Sequence, residues 1–181
     1  MQTKFRVLCL TLLAIFGLVA CGGIEAPGNA LISTASADEW SSGTTCGLLT
    51  REQVDTVLPG NDGGSEQGTS EASLLTDVEM GHCRYLAIDA SSMKWLDLLV
   101  YKASSDEGFE QIKIGEWAHQ GSSQRLDFGD VGFLLDMSDQ DEMEATVSKG
   151  RTVIELKLDA DDASARSEQL VELARIVTQQ L

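Results

Sequence analysis

Positive charge is what this chain has least of. Its 181 residues include 13 Lys and Arg against 29 Asp and Glu, a formal net charge of −16. Nucleic-acid binding is driven by cations that neutralise phosphates, so a nucleic-acid partner is excluded as an expectation. The same imbalance disfavours lying flat on an anionic lipid surface. Histidine is also scarce: His82 and His119 are the two in the chain. Nucleophilic catalysis needs a base beside its nucleophile, and no Gly-x-Ser-x-Gly frame surrounds any serine. No Cys-x-x-Cys occurs, which removes the usual zinc and redox spacings. Beyond the N-terminal segment, no apolar run approaches the ~20 residues that a membrane span requires.

What is present begins at the N-terminus. Lys4 and Arg6 precede an apolar run from Val7 to Leu18, and Leu18-Val19-Ala20-Cys21 follows. A basic region, a short apolar region and a small residue at the cut make a secretory signal, too short for a stable span. A small residue directly before Cys21, with Leu three before it, forms a lipobox. The reading is a lipoprotein signal at residues 1–20, with Cys21 lipidated and left as the new N-terminus. The alternative is an ordinary signal, cleaved or uncleaved, with Cys21 placed by chance. One acyl chain anchors marginally, two or three stably. Residues 21–43 are rich in Gly, Ala, Ser and Thr without a period, and read as a flexible tether that includes Trp40. Residues 44–181 read as one globular domain.

Cys9 leaves with the signal, so Cys46 and Cys83 remain in an oxidising compartment. The expectation is a structural disulfide; the competing reading is a redox or metal pair. A bridge over that loop is worth roughly 4 kcal/mol in the chain-entropy model.

Local patterns suggest the elements. Thr50 and Gln53 form a capping box, with Leu49 stapled to Val54 and the helix stopping at Pro59-Gly60. Asn61 to Ser73 reads as a mobile loop. Met80 to Asp89 and Met93 to Tyr101 read as an antiparallel hairpin. In the second strand Leu96, Leu98 and Val100 point one way, and Trp95, Leu99 and Tyr101 the other. With both faces apolar except at Asp97, that strand is expected to be central and covered on both sides. A helix from Asp106 to about Ala118 starts at a cap on Ser104 or Ser105. Short strands follow at Gln124 to Phe128 and Phe133 to Met137, around Gly129-Asp130-Val131-Gly132. Met143, Ala145 and Val147 alternate with Glu144, Thr146 and Ser148, and a Lys149-Gly150 turn leads to Ile154, Leu156 and Leu158 alternating with Glu155 and Lys157. The final helix, Ala163 to Gln180, carries a stripe of Leu170, Leu173, Ala174, Val177 and Leu181. The fold class expected is α+β: an antiparallel sheet built from hairpins, with N-terminal, middle and C-terminal helices packed on it.

These segments carry a resemblance. The lipobox and tether are followed by Cys46-Gly47-Leu48-Leu49-Thr50, Leu58-Pro59-Gly60, Cys83-Arg84-Tyr85, Gly129-Asp130-Val131-Gly132, Val147 to Val153 around Lys149-Gly150, and Leu170-Val171-Glu172-Leu173-Ala174-Arg175. In that order they resemble a set of actinobacterial surface lipoproteins of unknown function. The resemblance spans nearly the whole domain, and Pro59 departs from the set's pattern. It implies a cell-surface lipoprotein with a Cys46–Cys83 bridge and supplies no activity.

Candidate chemistry is sparse. His82, beside a cysteine, and His119 read as surface or strand-end residues. The carboxylates of Asp136 to Glu144 and Asp159 to Asp162 read as solvated turns, because calcium-loop spacing is missing. No metal or other cofactor is expected. Asp97 is the most informative acid: covered, it needs a partner or a raised pKa, and a place at the sheet margin is the blander reading. Trp95 and Trp117 read as core, and Lys149-Gly150-Arg151 as an exposed turn. Trp95, Asp97 and Tyr101 are the candidate ligand-binding residues. The expected function is noncatalytic: a binding or accessory module held by its lipid on the extracytoplasmic face of the cell membrane, or on the outer membrane if the envelope has two. Its partner would be an envelope protein. The alternatives are a carrier of a small apolar ligand or lipid, with a cavity between sheet and helices, and a hydrolase.

Overall fold

A computed structural model of the chain describes residues 40–67, 75–89, 92–112 and 122–181. Every described residue belongs to one compact unit. Cys21, the signal, most of the tether, Trp117 and His119 lie outside the described residues.

Seven strands form one antiparallel sheet. They are β1 (Ser65–Glu66), β2 (Val78–Ile88), β3 (Met93–Ala103), β4 (Ser122–Arg125), β5 (Val131–Met137), β6 (Glu142–Lys149) and β7 (Thr152–Asp159). Their spatial order is β1-β2-β3-β7-β6-β5-β4. The sequence therefore makes two runs of neighbours, β1 to β3 and β4 to β7, which meet where β7 pairs with β3. The expected hairpins are there: β2 pairs with β3 from Val78↔Ala103 to Ile88↔Met93, and β6 with β7 from Glu142↔Asp159 to Lys149↔Thr152. Gly150 takes a φ of +57° in the β6–β7 turn, a conformation that glycine adopts without penalty.

Among the described residues there are three α-helices: α1 (Arg51–Val54), α2 (Asp106–Gln111) and α3 (Ser167–Gln180). The Thr50 capping box forms as expected. Thr50 Oγ1 accepts from the Gln53 N–H, and Gln53 Oε1 accepts from the Thr50 N–H at 2.8 Å. Ser105 caps α2 by accepting from the Gly108 N–H at 3.0 Å. The apolar stripe of α3 is buried at Leu170, Leu173, Ala174 and Val177. Lys149 Nζ donates to the Thr178 carbonyl at 3.0 Å, a cation at the end of the helix where carbonyls lack partners. Lys149 thus does more than shape its turn.

Pleating sends alternate residues of each strand to opposite faces. One face gathers Cys83 and Tyr85 on β2, Leu96, Leu98 and Val100 on β3, Ile154, Leu156 and Leu158 on β7, and Met143, Ala145 and Val147 on β6. These residues form one core cluster with Leu48, Val54, Val57, Leu58 and the α3 stripe. Cys46 and Cys83 are joined, with Cα atoms 5.0 Å apart, which ties the start of the domain to β2.

Several expectations need correction. Trp40 is not tether: its side chain is 4% exposed and belongs to the core. It lies over Gly81, where a Cβ would come within 2.0 Å of Thr45 Oγ1 and 2.8 Å of Trp40 Cζ2. That glycine makes room for the segment entering the domain. A 3-10 helix, Ser42–Leu48, follows at once. The Gly-rich segment after Pro59 is not featureless, because Asn61 is fully buried and β1 pairs with β2. The helix expected from Asp106 to Ala118 is described only as far as Gln111. The last helix opens with a 3-10 turn, Ala163–Arg166, before α3 begins.

Candidate functional site

The other face of the sheet differs in character. The alternation that buries leucines in the core sends His82 and Arg84 of β2, Trp95, Asp97, Leu99 and Tyr101 of β3, Glu155 and Lys157 of β7, and Glu142, Glu144 and Thr146 of β6 to this side. Register then orders the charges. Arg84 lies opposite Asp97, Asp97 opposite Lys157, and Lys157 opposite Glu144. The result is a row of alternating sign across four strands. Opposite charges on facing cross-strand positions stabilise a sheet.

The row is anchored at Asp97. Its side chain is 9% exposed. Arg84 grips it with both prongs, Nε to Oδ1 at 2.7 Å and Nη2 to Oδ2 at 2.6 Å. His82 Nε2 lies 2.9 Å from the same Oδ1. Burial opposes the charge on this carboxyl, but the hydrogen bonds from Arg84 and His82 outweigh it and hold Asp97 below the ordinary carboxylate range. The Arg84 guanidinium, raised by its hydrogen bond to Asp97, also sits over the Trp95 ring at 5.8 Å from its centroid. A fork-shaped cation is thus fixed between a carboxylate and an indole.

Beside this anchor the balance tips toward negative charge. Glu155 is pushed up to about 8, by burial first and then by the charge of Glu144. Glu144 is raised too, chiefly by burial, while its Oε1 accepts from Thr146 Oγ1 at 2.9 Å. Lys157 Nζ bonds Glu142 Oε2 at 2.9 Å, so it is drawn to one side of the carboxylates around it.

Of the three candidate residues, the structure brings two together. Trp95 and Asp97 are neighbours on one face and share Arg84. Tyr101 lies on the same face but four residues further along, about 13 Å by strand rise. It packs instead with Ala103, Val153, Phe109 and Ile112 in a separate small cluster. Asp97 is not at a sheet margin: β3 is the third of seven strands, and Asp97 is central within it. His82 is not a strand-end residue either, since β2 begins four residues earlier. Trp95 is half-buried on the polar face rather than in the core. β3 is interior to the sheet as expected, but Trp95, Leu99 and Tyr101 are only half-buried, so its second face is not fully covered. The sequence reading missed Arg84, Glu142, Glu144, Glu155 and Lys157 as members of one site. The alternation of Glu144, Glu155 and Lys157 was visible but was read only as a hairpin pattern, and Glu142 and Glu144 as turn carboxylates, because register was unknown.

Two further features bound the chemistry. Among the described residues no group of three His, Cys, Asp or Glu side chains is placed to hold a metal ion. An open hollow of about 590 Å³ lies between β4 and α3, and Arg125, Leu126, Asp127, Val171 and Arg175 are among its lining residues. Arg175 there stacks over Phe128 at 4.3 Å and pairs with Asp127. No family model, curated protein or solved structure matches the chain.

Proposed function

We propose that the protein is a lipid-anchored, extracytoplasmic binding or accessory module. The sheet face around Trp95 and Asp97 is its recognition surface, and the helices are a layer packed on the opposite face. The observation that carries this reading is the Arg84–Asp97–His82 cluster seated on Trp95. It is a preorganised set of donors, acceptors and an aromatic ring held on strands, which is how recognition surfaces limit the entropy lost on binding. Support for a noncatalytic role comes from the hydroxyls of the same face. Thr146 and Ser148 are buried and bonded to Glu144 and to the Val131 carbonyl, so neither is presented to His82 as a nucleophile.

The anchoring half is tested by metabolic labelling with a palmitate analogue and by membrane fractionation. Cys21→Ser is expected to abolish the label and move the protein out of the membrane fraction; retention of both would overturn lipidation at Cys21. The binding half is tested by placing a photoreactive residue at Trp95 in the full-length protein in its own envelope. A discrete crosslinked protein, lost in Arg84→Ala, supports the reading. A retained small molecule would favour the carrier instead. A turnover abolished by both His82→Gln and Asp97→Asn would favour an enzyme.

A further inference from the structure

Two carboxyls of the ionic face stand together without a cation. Glu155 of β7 lies between Leu99 of β3 and Thr146 of β6. Leu99 offers no polar group, and the Thr146 hydroxyl already donates to Glu144 Oε1 at 2.9 Å. Glu144 is two residues from Thr146 on the same face, a diagonal neighbour of Glu155 within reach of two long side chains. The cation opposite Glu144 is Lys157, but its ammonium is engaged by Glu142 Oε2 at 2.9 Å. Among the described residues, no cation is bonded to Glu144 or Glu155.

The neighbouring elements do not supply one. On β3, Asp97 is diagonal to Glu155, and Arg84 and His82 of β2 are both committed to it. On β5, the residues in line are Phe133, opposite Thr146, and Leu135, opposite Glu144. Phe109 and Ile112 of α2 pack with Val153 and Tyr101, the cross-strand pair next to Glu155 and Leu99. α2 itself carries Asp106, Glu107 and Glu110 and no cation, and Arg151 is paired with Asp106. Two carboxylates so placed cannot both ionise without a counter-charge, so a proton stays with them. Both are raised accordingly, Glu155 to about 8. Lys157 is the cation placed to replace that proton. It is on the strand and face of Glu155, opposite Glu144, and its flexible four-carbon stem is 34% exposed. Moving it would uncover Glu142 and Asp159, which face each other at the Trp95 end of the row, Asp159 being opposite Trp95.

We propose that Glu144 and Glu155 hold a single proton between them, and that its release to solvent draws Lys157 from Glu142 to the pair and leaves the carboxylates beside Trp95 without their cation. The proposal rests on the binding-module reading and names a regulation of that surface. One proton, held two strands from Trp95, sets the charge presented next to the indole. The coupling follows from the low tolerance of a covered carboxylate for lacking a partner.

The test uses the protein as purified from its own envelope, in zwitterionic nanodiscs. Tryptophan is replaced by 5-fluorotryptophan, and lysine carries ¹³C at its ε carbon. The Trp95 fluorine is assigned by its loss in Trp95→Phe, and the Lys157 signal by its loss in Lys157→Arg. Between pH 6 and 10 both signals are expected to move together in one step centred near pH 8. Glu155→Gln is expected to abolish that step in both, and Glu155→Asp to retain it. Glu142→Gln frees Lys157 in advance, so the step is expected at lower pH with at most about half its amplitude at Trp95. Thermal melts at pH 6 establish that the variants are folded. A step that survives Glu155→Gln overturns the proposal, and its loss in His82→Gln instead would assign the titration to His82. A Lys157 signal that stays still while Trp95 moves also overturns it, as does a Trp95 signal that stays still while Lys157 moves. Crosslinking from Trp95 that persists while the step is missing removes this inference and leaves the binding module intact. Failed crosslinking with the step present is a failure of the binding reading alone.

Discussion

The two faces of the sheet are made by the same strands and stabilised in different ways. On the α3 face, Leu98 of β3 lies between Cys83 and Leu156, and all three are fully buried. One residue earlier, Asp97 lies between Arg84 and Lys157. Leucine packing is non-directional and spread over many contacts, so each loss scales with the volume removed. The ionic face is directional: a carboxylate taken from water is tolerable only while its own partners remain. The first face therefore degrades gradually under substitution, and the second depends on complete sets.

The largest expected effect is on the apolar face. Leu98→Ala is expected to destabilise the domain by about 3–4 kcal/mol, read from urea unfolding with an unchanged slope. A loss below about 1 kcal/mol would mean that this face is less closely packed than its burial indicates.

Next comes the ion cluster. Asp97→Ala leaves Arg84 and His82 without their shared acceptor and is expected to cost about 2–3 kcal/mol. The double replacement Asp97→Leu with Arg84→Met removes both charges together. It is expected to recover at least about half of that loss in a double-mutant cycle. Strict additivity would show that the cluster is not a unit, and the contrast between the faces would fail.

The smallest effect has the opposite sign. Glu155 has a raised folded-state pKa, near 8, against an ordinary carboxylate value when unfolded. The unfolded chain therefore releases this proton first, and the fold loses stability as pH rises from about 4.5 toward 8. Glu155→Gln is expected to stabilise the domain at pH 8 by about 1–2 kcal/mol and to have little effect near pH 4. Asp97, with its lowered pKa, has the reverse dependence: its contribution is present above the ordinary carboxylate range and is lost as pH falls through its folded-state value. Melting temperatures across that range separate the two, and a Glu155→Gln effect independent of pH would break the assignment.

Local pattern carried much of the fold. Thr50 and Gln53 lie three residues apart, so the cap was visible from type and spacing alone. The β6–β7 hairpin was legible because its alternation and its Gly150 turn are contiguous. The stripe of α3 was legible for the same reason, with Leu170, Leu173, Ala174 and Val177 repeating at the helical period. The short strand β1 was not legible, since Ser65 and Glu66 pair because Cys83 and Arg84 arrive beside them. Trp40 was misread because its flanks look like tether, and its burial depends on the space above Gly81, forty-one positions away.

The candidate site shows the same division. Sequence singled out Asp97 and Trp95, because a carboxylate and an indole inside an apolar strand stand out locally. Whether Asp97 met water, an orphaned burial or a partner was decided by the registers of β2 against β3 and of β3 against β7. A shift of one residue in either pairing would have sent Arg84 or Lys157 to the other face. Composition, the N-terminal signal pattern, the caps and the alternating strands are properties of neighbouring residues, so the chain determined them by itself. The ion cluster and the carboxylate excess around Glu155 join residues from different strands. Only the tertiary structure decided those, because charge and exposure depend on what the fold brings alongside.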